Sequence, residues 1–190
     1  MADFESGFDY IEPDGIKQKA DEIIAILNDQ EWEEGKPFYQ QYGYTTKNPM
    51  PSILQYIGNI IALMSIHSTD LLMTFSSNFS YHYKCRDYLN HCSVVRVLPG
   101  ESVVSQTIPD TGDIVVVITI GSGSVTIFNY KEETYSLYIP ANSVYALRES
   151  AMYHTKIDIP GKIEDDVNGE GIIQRETQYI LTFSHVPIKI

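Results

Sequence analysis

Between Ser93 and His185 the chain breaks into short runs rich in Val, Ile, Thr and Tyr, separated by Pro, Gly, Asn and Asp. β-Branched and aromatic residues suit a pleated, half-buried surface, and the separating residues suit turns, so this half predicts a succession of short strands. The runs are Ser93–Leu98, Ser102–Thr107, Ile114–Ile120, Ser124–Tyr130, Glu133–Ile139, Ser143–Leu147, His154–Ile159 and Gln178–His185, with Met73–Phe75 ahead of them. Residues Ile114 to Ile118 (IVVVI) are apolar at every position, as expected of a strand covered on both faces. Val125 and Ile127 alternate with Ser124 and Thr126, as expected of a strand with one apolar face. Such a series predicts a double-sheet barrel or jelly roll. The polar, Gly-rich stretch 161–174 (GKIEDDVNGEGIIQ) predicts a mobile loop.

The first third reads differently. Ile16, Ala20, Ile23, Ile24 and Leu27 fall on one helical stripe, predicting a helix over 16–30 with Asp14 as its N-cap. Residues 31–51 read as loop or short strand, punctuated by Gly35, Pro37, Gly43 and Pro51. A second helix is predicted after Pro51, with Ile53, Leu54, Ile57, Ile60, Ile61 and Met64 inward. At 190 residues, 43% hydrophobic, the chain can bury a real core as one domain: an acidic segment at 1–15, a helical part at 16–70 and a β core at 71–190. The fold class expected is α+β, mainly β, with the N-terminal helices packed against the barrel.

Charge bears on partners. Residues 1–36 hold eleven Asp or Glu and three Lys, so two-thirds of the net charge of -12 lies there. An acidic surface repels phosphate backbones and disfavours nucleic acid; it suits a solvated face or a docking surface for a basic protein. Two cysteines make no disulfide framework. The start MADFESGFDY lacks a basic, apolar leader, and Ile53–Ile66 is too short and too often interrupted to span a bilayer. A cytoplasmic or nuclear protein, or a viral protein in its host cell, is expected, with no membrane contact and no secretion.

Chemistry depends on which side chains the spacing puts on one face. His82, Cys85, His91 and Cys92 match no common zinc pattern, and the adjacent His91 and Cys92 would point to opposite faces of a strand. The bland alternative is surface histidines beside two buried thiols. A non-haem iron site needs two His and a carboxylate on one face, and His-x-Asp supplies two of them along a strand. The stretch Arg96–Ser124 has the turn and strand for such a motif but places Gln106, Thr107 and Ile108 where it would stand. His154 and Asp158 share a strand face four residues apart, a longer separation than ready joint ligation allows. No Gly-x-Ser-x-Gly elbow or phosphate loop is present, and Gly121-Ser122-Gly123-Ser124 reads as a turn.

The order of features resembles the AlkB family of iron(II)- and 2-oxoglutarate-dependent dioxygenases. Tyr42-Gly43-Tyr44 and Met50-Pro51-Ser52-Ile53-Leu54 are similar to its lead-in, Phe79 to Val97 to its approach strand, and Leu98-Pro99-Gly100-Glu101 to the turn before its metal strand. Ile114 to Phe128, Ile139-Pro140, Asn142 to Leu147, Ala151 to Ile159 and Gln178 to Ser184 follow its later segments in order. The resemblance implies a double-stranded β-helix core over most of the chain. Carried over position by position, the metal ligands fall on Gln106, Ile108 and Ile157, and the cosubstrate residues on Val95, Val97, Gln178 and Ser184. Ile and Val have no donor atoms, and a buried dianion needs a cation. The expectation is therefore a catalytically inactive member, not an enzyme, with neither metal nor cofactor, acting as a binding or scaffold module through a protein partner. Three alternatives stand beside it: an oxygenase demethylating or hydroxylating nucleic acid with relocated ligands such as His154, Asp158 and Asp110; a nucleic-acid-binding pseudoenzyme using Lys84, Arg86, Arg96, Arg148, Lys156 and Arg175; and an unrelated viral jelly-roll protein.

Overall fold

Strand periodicity of two sorts the β half into faces, and two sheets close over one of them. The computed structural model describes residues 8–11, 14–29, 39–43, 49–58, 89–106, 114–169 and 171–184. In chain order these form β1 (Phe8–Ile11), α1 (Asp14–Asn28), β2 (Tyr39–Gly43), a helix α2 of which 52–58 are described, β3 (His91–Val97), β4 (Val103–Gln106), β5 (Ile114–Ile120), β6 (Ser124–Tyr130), β7 (Glu133–Ile139), β8 (Ser143–Arg148), α3 (Glu149–His154), β9 (Thr155–Ile159), β10 (Glu164–Val167), β11 (Gly171–Gln174) and β12 (Gln178–Ser184). A six-stranded sheet runs β1-β8-β5-β12-β3-β2, and a four-stranded sheet runs β4-β9-β6-β7.

Three layers result. The stripe Ile16, Ala20, Ile23 and Leu27 of α1, with Ile53, Leu54 and Ile57 of α2, packs on one face of the large sheet, against Val94, Val116, Ile118, Leu181 and Phe183. The opposite face presents Val95, Val97, Val115, Val117, Tyr145, Leu147 and Ile180 to the small sheet, which supplies Phe128, Tyr130, Ile139 and Ile159. β5 is buried at all seven positions because both its faces are covered, whereas β6 alternates buried and half-buried residues. Phe128 closes the inter-sheet layer, its ring edge-on to Tyr145 at 5.4 Å and to Phe8 at 5.3 Å. Edge-to-face pairs of this kind add about 0.5–1.5 kcal/mol beyond their buried area. Tyr179 donates its hydroxyl to Asn28 Oδ1 and so ties β12 to the end of α1.

The structure corrects several expectations. Residues 8–11 of the acidic segment form an edge strand paired with β8, while β2 is a short strand within 31–51, as that stretch allowed. His154 is not in a strand: it ends α3, and β9 begins at Thr155. The predicted loop at 161–174 is a hairpin, β10–β11, with Asp165 opposite Ile173. Gly169 takes φ +91 in its turn, a conformation that glycine adopts without penalty. The hairpin is anchored by a buried ion pair. Arg175 donates from Nε to Asp165 Oδ2 (2.6 Å) and from Nη2 to Oδ1 (2.7 Å), while its Nη1 reaches the Pro160 carbonyl (2.6 Å). Asp165 Oδ2 also accepts the Val125 N–H at 3.1 Å, joining the hairpin to β6. Met73–Phe75, His82, Cys85, Ile108, Asp110 and His185 lie outside the described residues.

Candidate functional site at the mouth of the barrel

Register places the predicted site residues on one surface. β12 pairs with β3 so that Gln178 faces Val97, Ile180 faces Val95, Thr182 faces Ser93 and Ser184 faces His91. Alternation sends these eight side chains to the face that meets the small sheet, since Val95, Val97 and Ile180 belong to the inter-sheet core. In the small sheet Ile157 lies opposite Gln106 on one side and Phe128 on the other. The structure thus brings Val95, Val97, Gln178, Ser184 and Ile157 to the inter-sheet layer and sets Gln106 beside Ile157 in register; Ile108 is outside the described residues.

The layer has three levels. Gln178 occupies the inner end, fully buried, with its Nε2 donating across the sheets to Ser124 Oγ at 3.0 Å. The middle is apolar: Val95, Val117, Tyr145, Phe128, Ile157 and Ile180 meet there. The outer end lies where β3 and β9 begin and β5, β6, β8 and β12 have their outermost residues, and it is polar. His91 is 7% exposed, with Nδ1 3.4 Å from Ser184 Oγ, and Ser93 lies one step inward. Tyr130 and Ser150 pair through their hydroxyls at 2.7 Å. Beside Tyr130 in register is Thr155, 4% exposed, whose Oγ1 has no hydrogen-bond partner among the described residues.

Burial sets the state of these groups. Loss of solvent pulls the His91 imidazole below its ordinary value of 6.5, so it is neutral near pH 7, the form that accepts a proton or ligates a metal. On the opposite face of β3, burial pushes the Cys92 thiol well above its usual range, leaving it inert as a nucleophile. His91 and Cys92 do point to opposite faces, but His91 is buried and not at the surface as expected. His154 and Asp158 do not come together. His154 is exposed and lies edge-on to the Tyr130 ring, while Asp158 accepts from Asn129 Nδ2 at 2.8 Å.

Iron and a dicarboxylate do not fit the carried-over positions. Val95, Val97 and Ile157 offer no donor atoms, and the Gln178 amide is engaged by Ser124. Among the described residues no group of three His, Cys, Asp or Glu side chains converges as a metal site. The described arginines are placed elsewhere: Arg175 is held by Asp165, and Arg96 and Arg148 occupy the alternate positions of β3 and β8. Spacing could reveal that His91 and Ser93 share the face of Val95 and Val97. No local signal brings Ser184, Tyr130, Ser150 or Thr155 to the same end of the barrel.

The comparisons with known proteins agree with this architecture. No family model matches the chain. An uncharacterized protein, L905 of Acanthamoeba polyphaga mimivirus, is 24% identical, over 94% of this chain and 82% of that protein. OsALKBH1 superposes with a TM-score of 0.59 at 10% identity, covering 94% of this chain and 98% of that one. An oxidoreductase of the 2OG-Fe(II) oxygenase family from Burkholderia pseudomallei gives 0.54 at 14% identity, over 96% and 88% of the two chains. A Pseudomonas putida prolyl-4-hydroxylase gives 0.53 at 9% identity, over 95% and 94%. The fold is that of the AlkB-like and other 2-oxoglutarate and iron(II) oxygenases, as the resemblance implied. These comparisons overturn the expectation of a chain that is not an enzyme: the architecture it shares over nearly its whole length is that of oxygenases and a hydroxylase. Among the described residues no helix is long and apolar enough to cross a membrane.

Proposed function

We propose that this chain is an oxygenase-type enzyme, a hydroxylase or demethylase of the iron(II)/2-oxoglutarate class, whose reactive groups are relocated from the carried-over strand positions to the mouth of the barrel. Two findings support this reading: the fold shared with oxygenases over nearly the whole chain, and a buried, neutral imidazole at the outer, polar end of the inter-sheet layer. The imidazole carries the proposal. The ring is 7% exposed on the face of β3 that meets the small sheet, across from Ser184 in register, and Ser184 Oγ approaches its Nδ1 at 3.4 Å. His91 is therefore assigned to the site, with Ser184 orienting its ring.

Manganese(II), an oxygen-stable stand-in for iron(II), tests the assignment by paramagnetic broadening of the His91 ring signals. Saturable broadening in the wild type, lost in His91→Gln, is expected, together with oxygen consumption when iron(II) and 2-oxoglutarate are supplied. Absence of both broadening and oxygen uptake in the full-length protein would refute the reading.

A further inference from the structure

Deepening that reading, we infer that the barrel mouth recognises a neutral hydrogen-bonding group of the substrate through the Thr155 hydroxyl, with the Tyr130–Ser150 pair beside it. Thr155 lies two residues before Ile157, on the same face of β9 and one step nearer the mouth. Its N–H is already used, donating to the Ala151 carbonyl at the end of α3. Its Oγ1 has no partner among the described residues, although the residue is 4% exposed. A buried hydroxyl left without a partner costs about as much as a lost hydrogen bond. A valine has the same shape without that cost, so the hydroxyl has a use that the described residues do not supply. Tyr130, adjacent in register, is fixed by Ser150, which leaves a second ordered hydroxyl pair for the same ligand.

The electrostatics select a neutral group. Thr155, Ser150, Ser93 and Ser184 bring only hydroxyls, and burial keeps the His91 imidazole neutral near pH 7. Lys156 follows Thr155 but is exposed on the opposite face of β9. Lys131 is exposed, with its ammonium over the Tyr130 ring at 4.7 Å, and so it remains in water at the rim. An anion drawn under α3 would lose its hydration without gaining a buried cation. An amide or hydroxyl meets no such cost.

The test needs no metal, so it can fail independently of the oxygenase assignment. Thr155→Val should raise Tm by about 2–4 °C by removing the unpaired hydroxyl. N-methylacetamide should shift the Ile157 and Met152 methyl signals in the wild type and in Thr155→Ser, but not in Thr155→Val, and acetate at equal concentration should leave them in place. A fall in Tm for Thr155→Val would show that the hydroxyl already makes a native bond and would overturn the inference. Equal amide shifts in wild type and Thr155→Val, no amide shift in the wild type, or a larger response to acetate would overturn it as well.

Discussion

Arg175→Met is the substitution whose cost the structure fixes best. It removes both donors from the Asp165 carboxylate and the donor from the Pro160 carbonyl, leaving a carboxylate that is 1% exposed with the Val125 N–H alone. Removing one partner of a buried pair typically costs about 3–5 kcal/mol, most of it the uncompensated charge. Because both side chains are at most 5% exposed, solvent screening does not reduce that figure. For a chain of 190 residues it corresponds to a Tm lowered by roughly 6–20 °C. Asp165→Leu combined with Arg175→Met removes the charge as well as the bonds. It should cost only about 1–3 kcal/mol, the penalty for leaving the Val125 N–H and the Pro160 carbonyl unpaired. Burial pushes the Asp165 carboxyl up, but the hydrogen bonds from Arg175 and Val125 outweigh it and hold the group below its usual 3.8. Its stabilising contribution is therefore complete above pH 3.8 and is lost as acid carries the pH through the lower folded value. Urea melts of wild type, both single variants and the double variant close the cycle. A single-variant cost under about 1 kcal/mol, or additive costs in the double, would refute the claim that this pair anchors the hairpin.

Gly121 has φ +90, and a Cβ there would collide with the Thr177 carbonyl oxygen, so Gly121→Ala should destabilise by about 2–4 kcal/mol in thermal melts from the left-handed backbone and the overlap together. Phe128→Ala should cost about 3–5 kcal/mol by the same measure and leave α1 protected from hydrogen exchange, because Phe128 packs between the sheets and not under the helices. The folded His91 pKa lies below 6.5, so the unfolded chain binds the extra proton as pH falls; stability attributable to His91 should be complete above pH 6.5 and decline below it, and His91→Gln should flatten that slope in urea melts at successive pH values.

The parts legible in the sequence are those set by neighbours along the chain. The unbroken apolar run of β5 predicts a strand covered on both faces, and the structure has it; the alternation of β6 is there with its faces exchanged, since Ser124 and Thr126 join Phe128 and Tyr130 on the buried face and Val125 and Ile127 are half-buried on the other. The α1 stripe likewise names its own buried residues. The β10–β11 hairpin is not legible because its ladder pairs Glu164 and Asp166 with Gln174 and Ile172, a sequence with no apolar period; what holds it is Asp165 meeting Arg175, just past β11, and Val125 in β6. α3 has too few residues for a helical stripe to show in the sequence; Ala151 and Met152 are buried in it against the inter-sheet core.

The site follows the same rule. Placing Val95, Val97 and Ile157 at carried-over positions needs only an order of segments, which a chain displays directly. Finding what faces them needs the register of β3 on β12 and of β6 on β9, which joins residues as far apart as His91 and Ser184. A reading along the chain therefore registers donor atoms that are missing and overlooks those supplied across strands. The expectation of an inactive protein arose from that asymmetry. His91, Ser184, Tyr130, Ser150 and Thr155 share no motif, yet closing two antiparallel sheets gathers them at one end of the barrel. In a closed double sheet the chemistry of the mouth is a property of strand pairing, and the side chains to mutate first are those that pairing brings together.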